Sequence, residues 1–142
     1  MQMWDVVVIG AGPAGLAAAI RVRQKNRNAS VLVLDKAPRL GAHSLSGAVF
    51  EPGCLDALLP GWRTSAGSFA SGMVPVERDE MYFLTGSRAL RIPSFFVPPG
   101  MHHAGDRIIS LTQLVEWLGG VALKEGVEVY TGLSAVSLSW EG

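Results

Sequence analysis

Residues 4–9, WDVVVI, place four consecutive branched apolar side chains directly before a glycine. A run this short, with glycine at its end, reads as a buried strand, Trp4–Ile9. From Pro13 to about Lys25 the residues become small and apolar, with a basic end. That predicts a helix, since proline is tolerated in a first turn and cations suit a C-terminal dipole. QKNRNAS forms a turn, and SVLVLD (Ser30–Asp35) is a second buried strand. Strand, helix and strand fit within about 30 residues, so the unit should be parallel and right-handed.

The next stretch, residues 36–53, has no period, and Cys54–Leu59 is a short apolar element. Met73–Glu77, Met81–Thr85 and Ala89–Ile92 read as short strands, with Gly86-Ser87 as the tightest turn, and suggest a small antiparallel insertion. PSFFVPPGMHHAGD, residues 93–106, is a proline-bounded apolar loop. Helical spacing returns at Leu111–Lys124, where Leu111, Leu114, Val115, Leu118 and Ala122 share one stripe. Gly126 ends that helix, and Val127–Thr131 is a third strand. LSAVSLSW, residues 133–140, alternates as an antiparallel strand would.

Size and charge remove several alternatives. The 142 residues suffice for one domain, and 49% hydrophobic residues with a formal net charge of zero argue against disorder. That balance gives no electrostatic case for nucleic acid. Cys54 is the single cysteine. It cannot form an internal disulfide, an iron–sulfur site or a structural zinc site, and a reducing compartment is allowed. The N-terminus lacks a basic region before its apolar run, and glycines interrupt that run, so no signal peptide is predicted. No stretch of about 18 uninterrupted apolar residues exists, so no transmembrane helix is predicted either. His102 and His103 lack a third ligand at suitable spacing and read as solvated loop residues. Cys54 reads as a small core residue, and Trp117 and Leu118 as helix packing. Phe95 and Phe96, set between prolines, either cap a core or form a membrane-facing patch.

The candidate chemistry lies in Gly10-x-Gly12-x-x-Gly15, which follows a strand, opens a helix and stands 20 residues before Asp35 at a strand end. Gly10 permits the sharp turn, Gly12 lets backbone amides approach a pyrophosphate, and Gly15 lets the helix lie close on the sheet. The helix N-terminus turns its free N–H groups and dipole toward phosphate, and Asp35 can accept ribose hydroxyls. This geometry suits the ADP half of FAD or of NAD equally.

Resemblance separates those two. DVVVIGAGPAGLAAAIRV looks like the FAD-binding N-terminus of glutathione-reductase-type flavoproteins. LDKAPRLGAHSLSGAVFEPGCLDALLPGW resembles the electron transfer flavoprotein–ubiquinone oxidoreductase family, whose members carry Gly-Ala-His-x-Leu-Ser-Gly-Ala there. Here that segment is Gly41, Ala42, His43, Leu45, Ser46, Gly47 and Ala48. RIPSFFVPPGM and LTQLVEWLGGVALKEGVEVYTG continue the match over nearly the whole chain. The fold class expected is α/β: an incomplete Rossmann-like FAD/NAD(P)-binding domain with a small antiparallel β insertion. Its first strand should be central and its third outermost. Residues 1–50 would form the βαβ unit and flavin loop, 51–107 the insertion, and 108–142 a helix and return strands.

The resemblance implies an oxidoreductase of the electron-transferring-flavoprotein dehydrogenase type. Such an enzyme passes electrons from electron transfer flavoprotein through FAD and a [4Fe–4S] cluster to ubiquinone. It also implies an N-terminal fragment, with the cluster cysteines in the remainder. Cofactor contacts are expected at Gly10, Gly12, Pro13, Ala14, Gly15, Asp35, Lys36, Gly41, Ser46 and Gly47, and His43 lies in the flavin-facing loop by analogy. No catalytic side chain and no metal ligand is assigned. Peripheral membrane contact falls to Phe95 and Phe96, on the cytoplasmic face in a bacterium or the matrix face of the mitochondrial inner membrane. Three positions depart from the family: Asp35 stands where Glu is usual, Ser110 where many relatives have Arg, and Ala104 where they have His. Two rival readings are another FAD-dependent oxidoreductase, such as a geranylgeranyl reductase-like enzyme or a hydroxylase, and a truncated remnant without activity.

Overall fold

β1 (Val6–Ile9) and β2 (Val31–Asp35) lie side by side and parallel in the computed structural model, which describes residues 3–139. Val6 stands opposite Val31 and Ile9 opposite Leu34. Between them runs α1 (Pro13–Lys25), whose Leu16, Ala19 and Ile20 are fully buried against the sheet residues Val31 and Val33. α5 (Leu111–Lys124) lies beside α1 and buries Leu114, Val115, Leu118 and Ala122, the stripe expected from spacing. Gly126, at φ +81°, ends it and turns the chain into β8 (Glu128–Thr131). β8 pairs parallel with the far side of β2, so the order is β1-β2-β8. The third strand is outermost as expected, but β2, not β1, is central. No strand among the described residues pairs with the other side of β1.

Arg23 ties these layers together. Its guanidinium donates to the Glu125 carbonyl at the end of α5 (2.7 Å), to the Ala29 carbonyl (2.7 Å) and to the Arg27 carbonyl. At the same end of the sheet, where β1 and β2 begin, Asp5 accepts the Ser30 backbone N–H and hydroxyl, each at 2.7 Å. One basic and one acidic side chain thus close backbone groups that the strand and helix ends leave over.

A second sheet is antiparallel: β3 (Ser46–Phe50), β7 (Arg107–Ser110) and β4 (Val74–Pro75), with β7 in the middle. Neither β3 nor β7 was expected from the pattern. The expected Met73–Glu77 strand shrinks to two residues, where Pro75 has no N–H to offer a ladder. The ribbon of β5 (Met81–Leu84) and β6 (Ala89–Ile92) forms as expected, closed across Gly86-Ser87 by Thr85 N–H to the Arg88 carbonyl (2.8 Å).

Three short helices fill the stretch between β3 and β4: α2 (Gly53–Leu58), α3 (Trp62–Ser65) and α4 (Gly67–Ser71). They carry Trp62 and Phe69 onto Trp117 of α5, with ring centroids 5.3–6.1 Å apart. α2 corrects one expectation. Leu55 and Leu58, three residues apart, share its buried face, so Cys54 points outward and is exposed. The C-terminal stretch corrects another. Residues 133–139 form no strand, because no described strand supplies a ladder, and Val136 and Leu138 are exposed; Trp140 lies outside the described residues.

Candidate nucleotide-binding site

The turn after β1 needs its glycines for three different reasons. Gly10 has φ +104°, a left-handed conformation that side chains disfavour, and its N–H donates to the Leu34 carbonyl at 2.7 Å. A Cβ at Gly15 would lie 1.9 Å from the Gly10 carbonyl oxygen, so α1 can rest on the turn only with glycine there. Gly12 is extended (φ −73°), and a Cβ there would meet nothing within 4 Å. It caps α1 without a side-chain hydrogen bond, and the first turn holds no acidic residue. Open space thus adjoins an uncapped, positively polarised helix start whose first residues are Pro13 and Ala14.

Asp35, at the end of β2, reaches into this turn. Its Oδ2 accepts the Ala11 N–H at 2.6 Å, and its Oδ1 accepts the Ala37 N–H at 2.7 Å. The carboxylate therefore fastens the glycine-rich turn to the segment that leaves β2. Each carboxylate oxygen accepts more than one hydrogen bond, so acceptor capacity for a ribose remains.

A cleft of about 300 Å³ opens at the C-terminal ends of β1 and β2. Ile9 and Leu34 give it apolar surface, while Asp35, Lys36 and His43 supply polar groups. Its remaining wall is Leu133–Ala135, held by the Leu133 N–H on the Asp35 carbonyl (2.9 Å) and the Gly132 N–H on the Ala37 carbonyl (2.7 Å). Nothing in the sequence pointed to that wall, because its alternation read as a strand.

The structure brings Gly10, Asp35 and Lys36 to this cleft, with Gly12, Pro13, Ala14 and Gly15 in the turn and helix start beside it. Gly41 and Gly47 do not line it. Gly41 (φ +73°) is buried against α5, where a Cβ would stand 2.9 Å from Thr112 Cγ2. Ser46 and Gly47 begin β3, with Gly47 (φ +82°) at a break in its register with β7. Ser110 caps α5, its hydroxyl accepting the Gln113 N–H at 3.4 Å. The loop histidines are engaged locally, His102 with the Val97 carbonyl (3.1 Å) and His103 with Asp106 (3.0 Å). No group of three or more His, Cys, Asp or Glu is placed to hold a metal ion among the described residues.

Comparison with known proteins agrees with this geometry. The family model for the NAD(P)-binding Rossmann-like domain matches residues 8–68. The chain is 47% identical over 136 residues to the mitochondrial electron transfer flavoprotein-ubiquinone oxidoreductase of Arabidopsis thaliana, covering 93% of this chain and 20% of that protein. It is 46% identical over 137 residues to the Pseudomonas aeruginosa protein of the same name, covering 93% of this chain and 24% of that protein. The chain thus spans about a fifth to a quarter of these curated relatives. Among solved structures, a flavoprotein/dehydrogenase from Cytophaga hutchinsonii superposes with a TM-score of 0.66 at 20% identity, over 99% of this chain and 33% of that one; this likeness shows the fold. From its sequence and its Rossmann-like unit together, the chain belongs to the electron transfer flavoprotein–ubiquinone oxidoreductase family.

Proposed function

We propose that this chain forms the ADP-binding end of an FAD site in an oxidoreductase that carries electrons from electron transfer flavoprotein to ubiquinone. The observation that carries the reading is the open space at Gly12, beside an uncapped helix start and within a turn that Asp35 holds. These residues fit the group. Gly12 and the amides of Ala14 and Gly15 would receive the pyrophosphate, and Asp35 the ribose hydroxyls, with Lys36 at the cleft wall. Ser46 and Gly47 are assigned to the flavin end by resemblance, and Gly41 acts through the packing of the loop between. When bound, the flavin supplies the redox chemistry. The chain's own part is to bind and orient it, since no side chain at the cleft is arranged as an acid–base pair. A [4Fe–4S] cluster does not fit these residues. Cys54 is the sole cysteine and is exposed, whereas such a cluster takes about four thiolates.

Membrane contact belongs to the same reading. Phe95 and Phe96 are 79% and 71% exposed, with ring centroids 4.3 Å apart, so they cap no core. Phe83, Leu84 and Leu90 of the neighbouring ribbon are exposed as well. Burying two Phe side chains is worth up to about 3–6 kcal/mol, enough for reversible adsorption when a second anchor helps. Arg88, in the ribbon turn, would meet anionic headgroups. No described helix is long and apolar enough to cross a membrane.

The binding test is calorimetric titration of the 142-residue chain with ADP. Saturable binding that Gly12→Val abolishes is expected; a parent chain that binds no better than Gly12→Val refutes the reading. The redox assignment is tested on a flavin-loaded polypeptide containing this chain. Reduced electron transfer flavoprotein, added without oxygen, should bleach its flavin absorbance, and unchanged absorbance refutes that assignment.

A further inference from the structure

The segment leaving Asp35 is fastened to α5 at successive residues. Arg39 pairs with Glu116 at 3.3 Å, an exposed contact of little strength. The Leu40 side chain fills the space over Gly119, where a Cβ would lie 2.2 Å from Leu40 Cδ1. Glycine inside a helix is unfavourable relative to alanine, so this packing accounts for Gly119 in α5. Gly41 then sits directly on Thr112, and the Thr112 hydroxyl lies 3.3 Å from both the Gly41 and the Ser44 carbonyls. A hydroxyl has one proton, so the two carbonyls share it. They bracket His43, within a turn closed by the Ser44 N–H on the Gly41 carbonyl at 3.0 Å. His43 lines the cleft with Asp35 and Lys36.

We infer that Thr112 is a positioning residue for the nucleotide cleft, holding the 41–44 turn so that His43 faces a bound nucleoside diphosphate and contacts it. The inference rests on the nucleotide reading above. Thr112 touches no ligand itself; it acts through His43, whose imidazole adds a polar ring to the cleft lining beside Asp35 and Lys36. The packing of Gly41 and Leu40 sets the height of the loop, and the hydroxyl sets the orientation of its tip.

The test is ADP titration of the 142-residue chain as parent, T112V, T112S, H43A and T112V/H43A. T112V keeps the shape and removes the hydroxyl, so ADP affinity should fall about tenfold, the equivalent of one neutral hydrogen bond. T112S keeps the hydroxyl and should bind within about twofold of the parent. H43A should weaken binding by an amount similar to T112V, and adding T112V to H43A should cost nothing more. T112V binding like the parent overturns the inference, and so does a T112V loss that persists undiminished in H43A. Should T112V fail to fold, H43A decides: exposed His43 can be truncated without disturbing the core, and parent-like ADP binding by H43A overturns the inference. A parent chain that binds no ADP is a different result, because it removes the nucleotide reading itself and this inference with it.

Discussion

Gly15→Ala separates the structural glycines of the turn from the one left open to a ligand. The added methyl would stand 1.9 Å from the Gly10 carbonyl oxygen, and 3.2 Å from Val8 Cγ1, against an ordinary contact of at least 3.4 Å. The shortfall, 3.4 − 1.9 = 1.5 Å, falls on backbone, which cannot rotate away. α1 must therefore lift from β1, and Leu16, Ala19 and Ile20, all fully buried, lift with it. Overpacking of this kind costs about 1–3 kcal/mol, and a backbone clash belongs at the upper end. Alanine recovers about 1 kcal/mol of helix propensity. The net loss should be about 1–2 kcal/mol, a visible fall in the urea midpoint. Gly12→Ala is the counterpart. Its methyl enters open space at an ordinary φ, so cap loss and reduced unfolded-state entropy roughly cancel, within about 1 kcal/mol. Urea unfolding followed by far-ultraviolet circular dichroism, with ADP titration of each folded variant, reads both. Gly15→Ala should lose stability, while Gly12→Ala should keep stability and lose ADP. Parent-like stability in Gly15→Ala, or undiminished ADP binding in Gly12→Ala, would refute the division of roles.

Two further outcomes follow from other parts of the molecule. Phe95→Ser/Phe96→Ser should sediment with anionic vesicles less than the parent chain while its ADP affinity is unchanged; equal sedimentation ends the membrane assignment. The Ser30 backbone N–H, and then the Ser30 hydroxyl, hold the Asp5 carboxyl below its ordinary value of 3.8. A carboxylate with a lowered folded pKa stabilises fully above its unfolded value, and that contribution is lost as pH falls through the folded one. Asp5→Asn should therefore be less stable than the parent near neutrality, and the gap should close on acidification below 3.8. A gap that does not change with pH contradicts this account.

Local periodicity carried the parts of the fold that need only neighbours in sequence. The bounds of α1 (Pro13–Lys25) and α5 (Leu111–Lys124) follow from apolar spacing, a first-turn proline and a terminal glycine, all short-range signals. The βαβ unit was legible for the same reason, as was the proximity of Asp35 to the glycine-rich turn, because a parallel crossover of that length admits little else. β3 and β7 were not legible. Each is short and half-exposed, and their pairing joins Phe50 to Arg107 across the whole insertion, so only assembly makes them strands. Cys54 faced outward because its helix was oriented by Leu55 and Leu58 meeting a core built from other segments. The alternating 133–139 stretch had the pattern of a strand but no described partner, and alternation without a ladder does not make a sheet. The cleft itself belongs to tertiary structure. Its Asp35–Ala11 bond closes within the βαβ unit, but the Thr112–Gly41 bond spans 71 residues and exists only once α5 has docked beside α1 and brought the loop down with it.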